Sequence, residues 1–467
     1  MTVPLLLLSD AIASNTGLSR IARDLSTRIH ADLSDTFRIA TFGVGGYIST
    51  SSRFPFQNGS ILRLDRMVPR DLPDFWIDHA GRYGDGKQQD SETDLTEREG
   101  QVRKGILLTC WNLSWTPWLS QPHLLPPDHP LRQFLLQRPQ SVSLDHWNQI
   151  SNPQSPSFSP QLLSRLAQFP FRRWLYCPID GNLPDGTLGH QLAPVLQGFD
   201  RLLAYTGYGS QVIERTLEKW GGQSAVTTIN SVPHLPHGLD KAVFYPRDRR
   251  LARQTFMSRV SNGVSALPLR DDQVLLCMVA TNSSRKDWGL AFQTAAELLR
   301  RGRHVFLWGH TDALVPHPGL PSIHWNLPAL AKQFGMEQRV VLTAERLSDE
   351  DMAQAYSACD VMLATSSEGF GYTPFEALAC GLPVAGTSYA GSSEFVPPEM
   401  QAEPVAYCLE NPYLIQRPLY DPEKVADLVE KLMAGYPDRA RSLLDARFEW
   451  ESNWEGWKKW LLEGVER

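Results

Sequence analysis

Two carboxylates eight positions apart, Glu368 and Glu376, flank a turn framed by Gly369 and Gly371 in the stretch SSEGFGYTPFEALACGLPV. A pair of cations, Arg285 and Lys286, stands in another stretch, VATNSSRKDWGLAF. A carboxylate can accept paired hydroxyl donors such as those of a ribose, and adjacent cations stabilise negative charge that grows on a departing phosphate. Glycines let a backbone approach a ligand without interference from Cβ. Together these residue types suit one polyhydroxylated, phosphorylated ligand. Taken singly, each has a simpler explanation. A glutamate in a first helical turn complements the helix dipole, and charged side chains are mostly solvated. The coincidence of glycines, cap, proline and both acids on one loop is what favours the ligand.

These residues need a scaffold. DVMLATSS reads as a buried parallel strand, EGFGY as a turn at its carboxyl end, and TPFEALACG as a helix. Thr373 is the expected N-cap, Pro374 the first helical residue and Gly381 the stop. Open α/β sheets bind ligands at this carboxyl edge, and a helix N-terminus offers N–H groups to phosphate. In the second stretch a strand ends at Thr281, a polar loop carries Arg285 and Lys286, and a helix begins near Asp287. Asn282 stands where it can orient the two cations.

Strand-like and helix-like segments alternate through both halves of the chain, which argues α/β with parallel sheets. VPLLLLSD, FRIATFGVGG, GILLTCWNLSW, RRWLYCPIDG and FDRLLAYTG are strands of the first series. QVLLCMVAT, HVFLWGH, RVVLTAE, DVMLATSS and PVAGTS are those of the second. SVPHLPHGLDKAVFYPRD, with its prolines and glycine, reads as the linker between them. The expected organisation is two doubly wound, Rossmann-like domains, 1–236 and 247–445, followed by a helix over 446–467. In that helix Trp450, Trp454, Trp457 and Leu461 form an apolar stripe that must bury. The stretch 50–104 reads as long loops with short elements, and 120–170, rich in Pro and Gln, shows no period.

The chain has 467 residues and a formal net charge of −6, so no overall basic balance points to nucleic acid or an anionic membrane. None of the six cysteines lies within four residues of another, which excludes zinc-type spacing. Several sit in apolar runs, as expected for reduced, buried thiols in a cytoplasmic protein. MTVPLLLLSDAIASN lacks a basic n-region and reads as a first strand rather than a signal peptide. No apolar run is long enough to span a membrane.

The pattern E-G-F-G-x-x-x-x-E-A-x-A-x-G-x-P-V is matched at Glu368, Gly369, Phe370, Gly371, Glu376, Ala377, Ala379, Gly381, Pro383 and Val384. In this the chain resembles the retaining glycosyltransferases of family 4, the group 1 glycosyltransferases, which have the GT-B fold. LPHGLDKAVFYP resembles their hinge segment at Gly238, Asp240, Phe244 and Pro246, and GTSYAGSSEFV matches a further element, in which Glu394 reads as structural. The resemblance runs over residues 230–445 and is weaker before them.

The resemblance implies two Rossmann-like domains facing a central cleft, with the final helix crossing back onto the first. It implies that Glu376 holds the ribose of a nucleotide-sugar donor and that Glu368 sits by the donor sugar. The N–H groups of Phe370, Gly371, Tyr372 and Thr373 are implied to meet the sugar and diphosphate, and Arg285 and Lys286 the phosphates. The two cations are adjacent here, whereas the family spaces them apart. Gly17 would let the first domain's backbone approach the phosphates. Asp180 stands where relatives carry a polar residue near the reacting sugar; capping the turn at Gly181 is the alternative.

The implied activity is a metal-independent, retaining hexosyl transfer from a UDP- or GDP-linked sugar, a co-substrate rather than a cofactor, to an acceptor hydroxyl. A glycan, lipid-linked, protein, small-molecule or nucleic-acid acceptor is compatible with the sequence. A nucleotide-sugar epimerase of the same fold and a non-catalytic sugar-nucleotide-binding protein are the alternatives.

Overall fold

A computed structural model describes residues 2–12, 16–44, 54–61, 79, 105–111, 113, 116, 171–221, 231–260, 273–316, 324–410, 415–436 and 441–466. Most of the unassigned stretch 50–170 lies outside the described residues, as does part of GVGGY at 43–47. The chain divides into two units. One is Met1–Ile179 with Pro184–Leu235 and Glu455–Arg467; the other is Asp180–Leu183 with Pro236–Trp454.

Among the described residues the first unit has six parallel strands: β1 (Val3–Asp10), β2 (Phe37–Val44), β3 (Gln57–Ile61), β4 (Gly105–Cys110), β5 (Phe171–Cys177) and β6 (Arg201–Ala204). Their order is β3-β2-β1-β4-β5-β6. The run Leu5–Leu8 is fully buried, as a strand covered on both faces requires. Helix α1 (Gly17–Leu33) follows β1. Its N-cap Thr16 accepts the amide of Ser19 at 3.1 Å, and it buries Ile21, Ala22, Leu25 and Ile29 on one face. Helices α2 (Ala193–Gln197) and α3 (Gly207–Trp220) complete the described part of this unit before the linker. The α3 cap is Thr206, and Gly221 closes it.

The second unit repeats the plan with β7 (Val274–Val279), β8 (Val305–His310), β9 (Val340–Thr343), β10 (Val361–Ala364), β11 (Val384–Thr387) and β12 (Gln401–Ala402). Their order is β12-β11-β10-β7-β8-β9. Read from the far edge, this is the same strand order as in the first sheet. In both sheets the chain reverses its direction of travel between the first and fourth strands, the switch point beyond which open α/β sheets bind ligands. Around this sheet lie α4 (Arg249–Val260), α5 (Trp288–Arg300), α6 (Leu327–Gln333), α7 (Asp349–Ala358), α8 (Tyr372–Ala379) and α9 (Pro422–Gly435), with an antiparallel hairpin of β13 (Ala406–Glu410) and β14 (Ile415–Leu419). Asp360, just before β10, accepts the Leu275 amide at 2.7 Å and the Arg253 guanidinium at 2.6 Å, which pins α4 to the sheet.

Helix α10 (Trp450–Glu466) carries the tryptophan stripe. Trp450, Trp454, Trp457 and Leu461 are all buried, and so is Trp460. Within the first unit, Trp457 meets Tyr176 edge-on at 4.7 Å and Trp460 meets Trp174 at 5.0 Å, while Arg201 lies over the Trp460 ring. In the second unit, Gly238 lies so close to Trp450 that a Cβ there would meet its backbone nitrogen at 2.3 Å. This accounts for the glycine of the linker motif. No cysteine forms a disulfide, and five of the six are buried. Among the described residues no helix is long and apolar enough to cross a membrane.

Candidate active site

The site assembles at the switch point of the second sheet. The loop after β7 supplies Arg285 and Lys286, which sit on a single 3-10 turn, Ser284–Lys286. The turn ends at Asp287, whose left-handed φ of 51° and side chain, accepting the Leu290 amide, start α5. The loop after β10 supplies Glu368. The register Val361↔Leu276 and Met362↔Cys277 makes β7 and β10 neighbours, so their two loops leave the same edge side by side. A cavity of about 20 Å³ lies at this edge, lined in part by Ala280, Thr365, Ser366, Glu368, Thr373 and Pro374. That is room for about one water.

The charged groups form one cluster. Lys286 Nζ contacts Glu368 Oε1, and Ser366 Oγ donates to the same oxygen at 3.0 Å. Arg285 lies 3.6 Å from Glu368 Oε2 and 3.8 Å from Asp180 Oδ2, and it donates to the Ser367 carbonyl. Burial pushes the Glu368 carboxyl up, but Lys286, Arg285 and the hydrogen bonds from Lys286 and Ser366 outweigh it, so the group titrates below its ordinary value. Burial and the neighbouring Arg285 lower Lys286, and Glu368 and Asp180 offset this only in part.

Asp180 is brought to this cluster within the second unit. Its Oδ1 accepts the Gly369 amide at 2.7 Å, a bond between residues 189 positions apart. It therefore caps the EGFG loop rather than the turn at Gly181. The short segment Asp180–Leu183 is held in this unit by further contacts: the Asn182 amide donates to Tyr389 Oη at 3.0 Å, and the Gln416 amide donates to the Asn182 carbonyl at 2.8 Å.

The helix that follows starts earlier than its sequence suggests. Gly371, not Thr373, is the N-cap of α8, and Pro374 is its third residue. Gly371 has φ +95°, a conformation a side chain at Thr373 cannot substitute for, and it turns the loop directly into the helix. The amides of Tyr372 and Thr373 thus begin the helix with no carbonyl of their own helix to bond. At the other end Gly381, with φ +74°, and Leu382 return hydrogen bonds to Leu378 and Ala377, a Schellman closure. Glu376 is buried, and its Oε2 accepts the Tyr356 hydroxyl at 2.9 Å. Phe370 points away from solvent into a ring cluster with His237, Phe375 and Phe395. Burial keeps His237 well below its ordinary pKa, as a packed neutral ring.

Asn282 departs from expectation. Its amide nitrogen donates to the carbonyls of Ala313 and Trp325 at 2.8 and 2.7 Å, and its oxygen accepts the Trp325 amide at 2.8 Å. A side chain so engaged ties Ala313 to Trp325 and is not turned to the cations. Gly17 is the exposed first residue of α1 in the other unit.

Two contributors escaped sequence reasoning. Gly391 donates its amide to the Glu368 carbonyl at 2.8 Å, and a Cβ on it would meet the Gly369 oxygen at 2.1 Å. Only glycine fits there. It follows Ala390, whose φ of 65° and ψ of −166° fall in a region that is nearly glycine-only. Both lie in GTSYAGSSEFV, where the small-residue run was the available signal. Tyr356 is the other, and nothing in its surroundings in the sequence marks it.

Residues 273–434 match the family Glycosyl transferases group 1. The segment that carries Arg285, Lys286, Glu368 and Glu376 is thus similar to that family. A D-inositol 3-phosphate glycosyltransferase of Mycolicibacterium vanbaalenii is 31% identical over 163 residues, 33% of this chain and 32% of that protein. One from Kribbella flavida is 27% identical over 206 residues, 42% of each. The match thus spans well under half the length of these curated relatives. The fold is similar to that of an α,α-trehalose-phosphate synthase (UDP-forming) from Burkholderia xenovorans, with a TM-score of 0.58, 13% identity and coverage of 99% of this chain and 100% of the other. The catalytic domain of starch synthase IV from Arabidopsis thaliana gives 0.53 at 12% identity, with 100% of both chains covered. The two Rossmann-like sheets are those of the GT-B fold.

Proposed function

We propose that this chain, in which residues 273–434 match the family Glycosyl transferases group 1, moves a sugar from a nucleotide-sugar donor to an acceptor hydroxyl with retention of configuration and without a metal. The observation that carries the reading is the packing of Lys286 and Arg285 against Glu368 at the sheet's switch point, beside the amino end of α8. In this reading the donor diphosphate takes Arg285 and Lys286 as its counter-cations and meets the first amides of α8. Glu376 accepts the ribose hydroxyls, and Glu368 faces the sugar. Asp180 keeps the Gly369 loop in place through the bond it already makes.

The chemical step then needs no separate nucleophile. The bond from the anomeric carbon to the phosphate oxygen breaks, and the acceptor oxygen bonds to that carbon on the same face. The acceptor's proton passes to the departing phosphate. Cations fixed beside that phosphate stabilise the charge that develops there. They do the electrostatic work for which other transferases recruit a metal.

Thermal unfolding with UDP-, GDP- and ADP-sugars tests the reading. The correct donor at about 100 times its Kd should add about 2.7 kcal/mol of stability. Failure of every donor to raise the midpoint would overturn it. With the donor in hand, product NMR should show the donor's anomeric configuration, and turnover should survive EDTA. D-inositol 3-phosphate is the first acceptor to try, given the names of the curated relatives. Isomerisation of the donor sugar without any acceptor would point to an epimerase instead.

A further inference from the structure

The hydrogen bond from Tyr356 to Glu376 joins two buried side chains, one on α7 and one on α8. The tyrosine is held there by its own helix. Ser348 and Asp351 form a capping box at the start of α7, with the Asp351 amide donating to Ser348 Oγ at 3.1 Å. Just beyond the helix, Asp360 is clamped by Leu275 and Arg253. The helix is thereby fixed at both ends, and Tyr356 is fully buried within it.

A glutamate's terminal torsion is broad and roughly twofold, so an unassisted carboxylate presents either oxygen in a range of directions. A rigid donor on Oε2 removes that freedom and fixes where Oε1 points. We propose that Tyr356 is a positioning residue that sets the Glu376 carboxylate for the neighbouring hydroxyls of the donor's ribose, so that this chain separates ribonucleotide from deoxyribonucleotide donors. The inference rests on the reading that Glu376 takes the ribose. Its chemistry follows from hydrogen bonding alone. A site whose acceptor is already aimed gains most from the ligand that carries the matching hydroxyl and little from one that lacks it.

Calorimetry on the full chain tests this. UDP, GDP and ADP are titrated first, then the 2′-deoxy and 3′-deoxy forms of whichever binds most tightly. Tyr356→Phe removes one oxygen and keeps the ring. It should weaken the ribonucleotide about five- to tenfold and the matching deoxynucleotide less than about twofold. Glu376→Gln offers a second route if the first variant unfolds below assay temperature. Tyr356 would hold the amide oxygen and turn the amide nitrogen outward, so the ribose preference should collapse there too. Equal weakening of ribo and deoxy ligands by Tyr356→Phe, or an intact ribose preference in Glu376→Gln, would overturn the inference while leaving the enzyme reading standing. Wild-type protein that binds none of the three diphosphates would remove both together.

Discussion

The two sheets share a strand order yet present opposite chemistry at their switch points. In the second sheet the carboxylate there, Glu368, faces two cations. In the first, Asp10 ends β1 and, among the described residues, its carboxylate accepts from uncharged donors, Thr16 Oγ1 at 2.5 Å and Trp111 Nε1 at 3.2 Å. Burial raises the Asp10 carboxyl's pKa by more than those hydrogen bonds lower it, whereas Glu368 is lowered on balance. The comparison teaches that topology fixes where a ligand can sit, and that the side chains on the two crossing loops decide what charge it carries. A diphosphate suits the second edge. The first edge stitches its own strand and helix together around a carboxyl whose pKa burial raises.

The sharpest way to break this contrast is to remove one charge from each edge. Lys286→Met should lower kcat/KM about 10²- to 10³-fold, the loss typical of deleting one preorganised charge stabiliser. Asp10→Asn should lower it by less than about tenfold, or about 1.4 kcal/mol of barrier. Steady-state kinetics with the donor found by thermal shift measure both. Equal losses at the two edges would mean that the first also carries reacting charge.

Glycines sharpen the comparison next. Gly391→Ala puts a methyl against the Gly369 carbonyl, so it should cost about 1–3 kcal/mol of stability and displace the loop that carries Glu368. Gly17→Ala, at an exposed helix start, should stay within about 0.5 kcal/mol. Chemical unfolding reads each, and a silent Gly391→Ala would disprove the close approach.

The smallest effect is in the pH dependence, where the signs should oppose. A carboxyl whose pKa is raised by folding adds stability that is complete below its unfolded value, ordinarily 3.8 for Asp10, and is lost as pH rises through the folded one. Glu368 is lowered from 4.5, so its contribution is present above that value and lost as pH falls. Between about pH 3 and 7, the stability of Asp10→Asn relative to wild type should rise with pH, and that of Glu368→Gln should fall. Parallel slopes would erase the electrostatic difference between the edges.

What was legible in the sequence was local. Glu368, Gly371 and Glu376 share one strand-loop-helix corner, and Arg285 with Lys286 another, so spacing alone placed each set on a carboxyl edge. The alternating apolar runs gave the strands of both sheets for the same reason: a parallel strand buried on both faces shows an unbroken hydrophobic stretch. What escaped was contact across long separations. Asp180 meets Gly369 from the far side of the linker, Tyr356 meets Glu376 from the preceding helix, and Gly391 touches Gly369 backbone to backbone. Thr373 and Asn282 misled because polar side chains next to a helix start or a strand end look alike whether they cap, brace or bind. The backbone angle at Gly371 and the contacts of Asn282 with Ala313 and Trp325 decided those cases, and neither has a local signature.

The tryptophans of α10 set an order of events at birth. Trp174 and Tyr176 lie in the middle of the first unit, yet the side chains that cover them, Trp457 and Trp460, are made some 280 codons later. A nascent chain cannot close this unit while it is still on the ribosome upstream of α10. Those indole and phenol faces stay uncovered by Trp457 and Trp460 until α10 has emerged.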